Sequence, residues 1–362
     1  MSTSRGAVYG TDAVRDEDAF DVAALDTWLR VGIDLPHGPA VGGLPEVWQF
    51  TNGASNLTYL LRYADAAGTR DLVARRPPIG AKIASAHDMF REYDIQRRLR
   101  PFFGAVPDVV AYATTEESPI GAEVYVMEYV AGVNLRADSH LDPQTAERLG
   151  ERVIDTLVDL HAVDVDAAGL GAYYRGSGYV RRQVEGWSRR WRAAVTPDSP
   201  DAEGIIGWLD RNQPDDVGAA LIHGDWRMDN MVLGADDVTR VLAVLDWEMA
   251  TVGDPLMDLG NTMCYWIQAD DDPAFRLFQK QPTTAPGMPT REEAVRRYLA
   301  RSGLTLPAVG WEFYEVYGLF RLAVILQQIW SRFSGGQTSN PAFAQFGDIV
   351  RILLQRCTIR VA

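Results

Sequence analysis

Two stretches of this chain carry oxygen-bearing side chains at the ends of short apolar runs. Ala220-Leu221-Ile222 leads into His223-Gly224-Asp225-Trp226-Arg227-Met228-Asp229-Asn230, and Val241-Leu242-Ala243-Val244-Leu245 leads into Asp246-Trp247-Glu248. A carboxylate at the mouth of a strand can accept a hydroxyl proton. An amide oxygen five residues later, and a second carboxylate at the end of the next strand, are the hard ligands that magnesium takes, with water and substrate phosphates completing its shell. One base to orient a nucleophile, and metal to neutralise β- and γ-phosphates, is what phosphoryl transfer requires. Taken singly, each of Asp225, Asn230 and Asp246 reads as a turn cap; taken together between flanking strands they read as a site.

Two upstream features extend that reading. Phe50-Thr51-Asn52-Gly53-Ala54-Ser55-Asn56-Leu57-Thr58-Tyr59 is a turn of small residues between two strands, which lets backbone amides approach phosphate oxygens. Asn-Gly is also the commonest hairpin turn, so the segment alone reads either way. Arg75 closes a following strand and Glu92 sits on the next helix. A cation held by a helix carboxylate fixes α- and β-phosphates in kinase-like sites, whereas most such pairs are surface ion pairs of little consequence. The order turn, cation, Glu, Asp-Asn, Asp is what separates this set from background.

These residues need elements to hold them. Residues 1–46 read as an N-terminal extension, with a short helix over Asp21 to Val31 (Val22, Leu25, Leu29) and a Pro/Gly loop over 35–45. Residues 47–130 read as five short strands and one helix. The strands are Trp48-Gln49-Phe50, Leu57 to Tyr63, Leu72 to Arg75, Val109 to Thr114 and Glu123 to Tyr129, and the helix is Met89 to Leu99. Residues 131–362 read as mainly helical. Asp142-Pro143 caps a helix that runs to His161, and further helices are expected at Val180 to Ala194 and near 290–301, 311–333 and 342–356.

Composition narrows the function classes. The formal charge of the 362-residue chain is −14, and lysine occurs only at Lys82 and Lys280. That balance argues against nucleic acid or an anionic membrane surface as a partner. The most apolar run, Tyr317 to Trp330, contains Arg321 and is shorter than the roughly 20 residues a membrane span needs. Met1 to Phe20 has charged residues and no apolar core, unlike a signal peptide. Cys264 and Cys357 are the only cysteines, too few for a disulfide framework or a cysteine-rich zinc site. A cytoplasmic protein is expected.

His223-Gly224-Asp225 with Asn230, then Asp246-Trp247-Glu248, resembles the aminoglycoside phosphotransferase and choline kinase superfamily, whose fold is that of protein kinases. Ser55-Asn56-Leu57-Thr58-Tyr59, Gly253-Asp254-Pro255 and Asp258-Leu259 match as well, and the likeness runs from about Val47 to Leu354. Arg75-Arg76-Pro77-Pro78, the segment Tyr179 to Trp187 and Asp229-Asn230 resemble the branch that in animals is joined to acyl-CoA dehydrogenases. The resemblance implies an α+β, bilobal, protein-kinase-like fold with a small antiparallel five-stranded N-lobe and a larger, mainly helical C-lobe. It implies an ATP- and magnesium-dependent phosphotransferase acting on a hydroxyl of a small molecule.

Carried onto this chain, Asp225 would be the catalytic base, and Asn230 and Asp246 would bind Mg2+. Asn52, Gly53, Ser55 and Asn56 would cover the phosphates of ATP. Glu92 would hold the basic residue Arg75. Met127, with the backbone of Glu128 and Val130, would meet the adenine at the lobe junction. Asp254 and Asp258 would tie the catalytic segment to a helix, and His223 and His161 would order structure rather than react.

The chain departs from the superfamily in having Arg75 where lysine is usual, with Lys82 beyond the prolines, and Asn52 where the loop's first glycine is usual. Asp246 is followed by Trp247-Glu248 rather than Phe-Gly, which argues against protein kinase activity. Arg181, Arg182, Arg189, Arg190 and Arg192, interleaved with Tyr173, Tyr174, Tyr179, Trp187 and Trp191, read either as the frame of a site for a neutral or anionic acceptor or as one face of an amphipathic helix. Two other functional classes stay open: a nucleotide-binding regulatory protein with little or no kinase activity, and a metal-dependent hydrolase using His223, Asp225 and Asp246.

Overall fold

A computed structural model describes residues 10–51, 56–66, 68–78, 88–338 and 340–361. The chain divides into two compact units: one runs up to Ala131 and takes in Ala243–Glu248, and the other comprises Gly132–Leu242 and Met249–Ala362.

The first unit is a sheet covered by one helix on each face. Its strands are β1 (Thr11–Asp12), β2 (Glu46–Phe50), β3 (Leu57–Asp65), β4 (Gly68–Arg76), β5 (Val109–Ala113) and β6 (Val124–Glu128), with α1 (Val22–Gly32) before β2 and α2 (Met89–Leu99) before β5. The spatial order is β1-β2-β3-β4-β6-β5, and every pairing is antiparallel. Side chains alternate across a strand, so β4 feeds two cores. Leu72 and Ala74 pack with Leu61, Tyr63, Val124 and Val126 against Leu25 and Leu29 of α1. Val73 packs with Leu60, Tyr125 and Met127 against Met89 of α2. The same alternation sends Arg75 to the α2 side and Arg76 to the other.

The sheet therefore has six strands among the described residues, where the sequence predicts five. The additional strand comes from the N-terminal extension, with Thr11 opposite Phe50 and Asp12 opposite Gln49. Two residues, one of them charged, carry no apolar alternation, so nothing in the sequence marks β1. Partners elsewhere hold the extension to the sheet. Gln49 Nε2 donates to Asp18 Oδ2 at 2.8 Å, and the Asp18 carbonyl accepts from Tyr59 Oη at 2.8 Å and Arg76 Nη2 at 2.6 Å.

The second unit contains α3 (Pro143–His161), α4 (Tyr179–Ala194), α5 (Glu203–Asn212), β7 (Ala220–Ile222) and β8 (Met231–Leu233). After β9 (Val241–Val244), whose last two residues belong to the first unit, come β10 (Thr251–Gly253), α6 (Pro255–Cys264), α7 (Pro273–Arg276), α8 (Arg291–Ser302), α9 (Glu312–Ser334) and α10 (Phe346–Val361). β7 pairs antiparallel with β10, α3 packs on α8, and α9 packs on α4, α6 and α10. Backbones of α6 and α9 come within touching distance: a Cβ on Gly318 would lie 2.3 Å from the Gly260 carbonyl oxygen, and one on Gly260 would lie 2.6 Å from that of Tyr314. Only glycine fits at both places.

α6 has no counterpart among the helices expected from the sequence. All ten of its residues are buried, so it lacks the polar face that gives a helix its period. α5 is short and carries Gly204 and Gly207 in its ten residues, which masks the Ile205-Ile206-Leu209 stripe. No helix among the described residues is long and apolar enough to cross a membrane.

Candidate functional site

In the second unit, β7 delivers the chain into His223-Gly224-Asp225, and a buried scaffold fixes the loop. Asp258 of α6 accepts from His223 N and Gly224 N, each at 2.8 Å, and from His161 Nε2 at 3.2 Å. Its carboxylate is fully buried. Burial alone would push the carboxyl up, yet the His161 hydrogen bond and charge, together with His223, hold it below the usual carboxylate range. The other His161 nitrogen, Nδ1, lies 2.6 Å from Tyr298 Oη. His223 is itself fully buried; its Nδ1 accepts from Asp225 N at 3.2 Å, and its ring meets Trp226 edge-on. Both histidines thus hydrogen-bond within the scaffold that holds the loop. Asp254 caps α6 by accepting from Met257 N and also ties in Val217 N at 2.7 Å.

Gly224 takes φ +79°, and its carbonyl accepts from Arg321 Nη2 at 2.8 Å. Arg321 is buried in α9 and lies over the Trp187 ring of α4, 5.2 Å from its centroid. Met228 N donates to Gln281 Oε1 at 2.6 Å and Trp226 Nε1 to Val153 O at 3.2 Å. On this frame the Asp225 side chain stays 21% exposed, open enough to meet a substrate. Asn230 Nδ2 donates to Asp225 Oδ2 at 3.0 Å and to the Asp225 carbonyl at 2.9 Å. With its NH2 committed, the amide presents its oxygen, the atom a divalent cation takes. Arg227 Nη2 stands 3.4 Å from both Asp225 Oδ2 and Asp229 Oδ2, with its guanidinium over the Tyr265 ring. Burial raises the Asp229 carboxyl above its ordinary range despite Arg227.

In the first unit, Arg75 brings two carboxylates together. Its Nη1 lies 3.1 Å from Glu92 Oε2 and its Nη2 3.1 Å from Asp246 Oδ1. Glu92 is fully buried and accepts from Tyr125 Oη at 2.8 Å and Asn56 Nδ2 at 3.0 Å. Burial pushes its carboxyl up, and Arg75 only partly reverses that. Burial opposes the charge on Arg75, but Tyr125, Glu92 and Asp246 outweigh it and strengthen the guanidinium's hold on its proton. Asp246 adopts φ +68°, the only non-glycine residue with positive φ among the described residues; such strain persists only where neighbours enforce it. Val244 N donates to Ala105 O, Trp247 is buried against Phe103, and Arg91 Nη2 donates to Glu248 O.

The structure therefore joins Asn56, Arg75, Glu92 and Asp246 in one polar cluster of the first unit, and Asp225 with Asn230 in the second. Met127 lies in the α2-facing core at the end of β6. Glu128 N donates to Asp108 O, and Val130 follows in the same unit. Asn52, Gly53, Ser55 and Lys82 lie outside the described residues. Among the described residues no group of three or more His, Cys, Asp or Glu side chains could hold a metal ion.

Three of the arginines of α4 have partners within the second unit. Arg192 pairs with Glu203 through two bonds of 2.8 and 2.6 Å, Arg190 lies over Trp187, and Arg182 donates to the Gly176 and Ser177 carbonyls. Arg189 lines a cavity of about 340 Å³ with Val184, Ser188 and Ile206.

Arg227, Tyr125, Gln281 and Arg321 are absent from the residues picked out as functional in the sequence. Arg321 had a signal, since an arginine inside an otherwise apolar helix must find a buried acceptor. Tyr125 had none, because its place opposite Arg75 follows from the β4–β6 pairing. Gln281 had none.

Comparison with known proteins accords with this geometry. The chain is 34% identical over 350 residues to acyl-CoA dehydrogenase family member 10 of mouse (Mus musculus), a match spanning 96% of this chain and 32% of the mouse protein. The chain thus spans about a third of that relative's length. Among solved structures, a candidate aminoglycoside phosphotransferase from Ralstonia eutropha superposes with TM-score 0.79 at 29% identity, covering 95% of this chain and 98% of that one. Choline kinase from Cryptosporidium parvum superposes with TM-score 0.61 at 13% identity, covering 92% and 94%, a likeness of fold. The model of the phosphotransferase enzyme family matches residues 46–294, and the chain belongs to that family.

Proposed function

We propose that this chain is a magnesium-dependent kinase that transfers the γ-phosphoryl group of ATP to a hydroxyl of a small molecule. The observation that carries the proposal is the Asp225–Asn230 pair: a part-exposed carboxylate at the end of β7, with an amide bonded to it so that its oxygen is presented. Both residues stay only partly buried, as groups that must meet a substrate or a metal do.

In this reading Asp225 orients the acceptor hydroxyl and takes its proton as the oxygen attacks the γ-phosphorus in line, with ADP leaving. Asn230 and Asp246 would hold magnesium through their side-chain oxygens. Magnesium, when bound, neutralises charge on the β- and γ-phosphates. Arg75, held by Glu92, grips phosphate oxygens; arginine suits this because its planar fork matches phosphate geometry. Asn52, Gly53, Ser55 and Asn56 cover the phosphates, and Met127, Glu128 and Val130 meet the adenine.

The test is ATP consumption across a panel of hydroxyl acceptors. Hydroxyacyl-CoA esters enter first, because the relatives are named for acyl-CoA chemistry, followed by sugars, amino alcohols and aminoglycosides. At least one acceptor should stimulate turnover, and Asp225→Asn should reduce it by about 10²-fold or more while ATP binding by calorimetry stays within a few-fold. Wild-type protein that binds Mg·ATP and turns over no acceptor would instead support a regulatory, nucleotide-sensing role. Metal-dependent hydrolysis without ATP would support the hydrolase reading.

A further inference from the structure

The kinase reading gives Asp246 to magnesium, yet in this structure its carboxylate already has a cation. We propose that Arg75 is the resting partner of Asp246. It holds the metal-binding carboxylate in place until magnesium and nucleotide take it over, and an arginine stands at this position because two carboxylates must be held at once. The inference rests on the kinase reading and adds to it a competition between a side chain and a metal ion for one oxygen.

Three observations carry it. The two contacts use different nitrogens of one guanidinium, Nη1 to Glu92 and Nη2 to Asp246, both at 3.1 Å. A lysine ammonium is a single point charge and lacks the rigid fork that spans two such sites. The partners also differ in their access to water: the Glu92 side chain is 0% exposed and the Asp246 side chain 34%. Breaking the Glu92 contact would strand a buried charge, which is costly, whereas Asp246 can turn to solvent or to a metal. Asp246 is therefore the releasable end. Finally, Asp246 sits at φ +68°, a conformation disfavoured for a residue with a Cβ, so something must hold it there. The Arg75 contact is one such restraint while no metal is bound.

In the Arg75→Lys variant the ammonium would stay with buried Glu92 and let Asp246 go. The full chain and this variant are titrated with MgCl2 in the absence of nucleotide, at constant ionic strength, by calorimetry and by thermal melting. The expected result is that Arg75→Lys binds magnesium alone at least about tenfold more tightly than wild type, while both melt at higher temperature with Mg·ATP. Equal magnesium affinity in the two proteins, with both responding to Mg·ATP, would overturn the resting contact and leave the kinase reading standing. No response of either protein to Mg·ATP would overturn the kinase reading itself.

A measurement on unmutated protein guards against a folding defect in the variant. The side-chain 15N signals of Arg75 should show both Nη groups restrained without ligand, and one restraint should be lost on adding saturating magnesium in the absence of nucleotide, which would offer the freed group a phosphate. Restraint of both groups unchanged by magnesium alone would equally overturn the proposal.

Discussion

Asp258→Asn should cost the second unit far more than its distance from any substrate group suggests. The wild-type carboxylate accepts at Oδ1 from Gly224 N, and at Oδ2 from His223 N and His161 Nε2. Asparagine keeps one oxygen and replaces the other with NH2, so at least one backbone N–H would face a donor. Losing a hydrogen bond to a charged group costs about 1.5–3 kcal/mol, and a buried donor left unpaired costs about 1–3 kcal/mol more, for a total of about 2.5–6 kcal/mol. In a unit of this size each kcal/mol lowers Tm by about 2–4 °C, so the fall should be roughly 5–24 °C. Thermal melting measures it, and hydrogen exchange at the 223–225 amides locates it. The sign with pH follows from the depressed carboxyl of Asp258. Its contribution is fully present above its unfolded value near 4 and is lost as pH falls through the folded value, so the gap between variant and wild type should narrow as pH drops below about 4. A Tm within about 2 °C of wild type at pH 7 would refute the claim that this carboxylate holds the loop.

Arg76→Met should detach the N-terminal extension, because it removes the donor to the Asp18 carbonyl and to Tyr59 Oη. The expected loss is about 1–3 kcal/mol in urea unfolding of the first unit, together with faster proteolysis near residues 10–20; unchanged proteolysis would count against the extension being part of the sheet. Asp254 behaves oppositely to Asp258, since burial raises its carboxyl to about 6 against two backbone donors. A raised carboxyl contributes stability that is present below about pH 4 and is lost as pH rises through about 6. The Tm of wild type relative to Asp254→Asn should therefore be higher at pH 4 than at pH 7; a flat difference would mean that the carboxyl is not raised.

Much of the fold was legible because its elements are amphipathic or bounded by strong local signals. α3 announces itself through Asp142-Pro143 and an apolar stripe, and α2 through Met89, Tyr93, Gln96 and Leu99. β2 to β6 alternate over two cores. What escaped obeys a common rule: an element whose reason for existing lies elsewhere in the chain leaves little trace in its own residues. β1 has two residues and exists because β2 offers an edge and Arg76 offers donors. α6 is buried on all sides, so its helical period is invisible, yet it supplies the carboxylate that fixes the His223-Gly224-Asp225 loop.

The same rule sorts the candidate site. Asp225, Asn230 and Asp246 could be picked out because chemistry restricts which residue types can accept a proton or hold a hard cation, and a restricted alphabet at a set spacing is readable. Arg227, Arg321 and Gln281 act by touching those residues or the loop that carries them, and any polar group with the right reach would serve, so sequence spacing says little about them. Arg75 stands between the two groups. Its position near the end of β4 was readable as that of a phosphate-facing cation, but the reason for arginine over lysine emerges only with Glu92 and Asp246 both in place, one buried and one part-exposed. A lysine would satisfy either carboxylate; the pair asks for a fork.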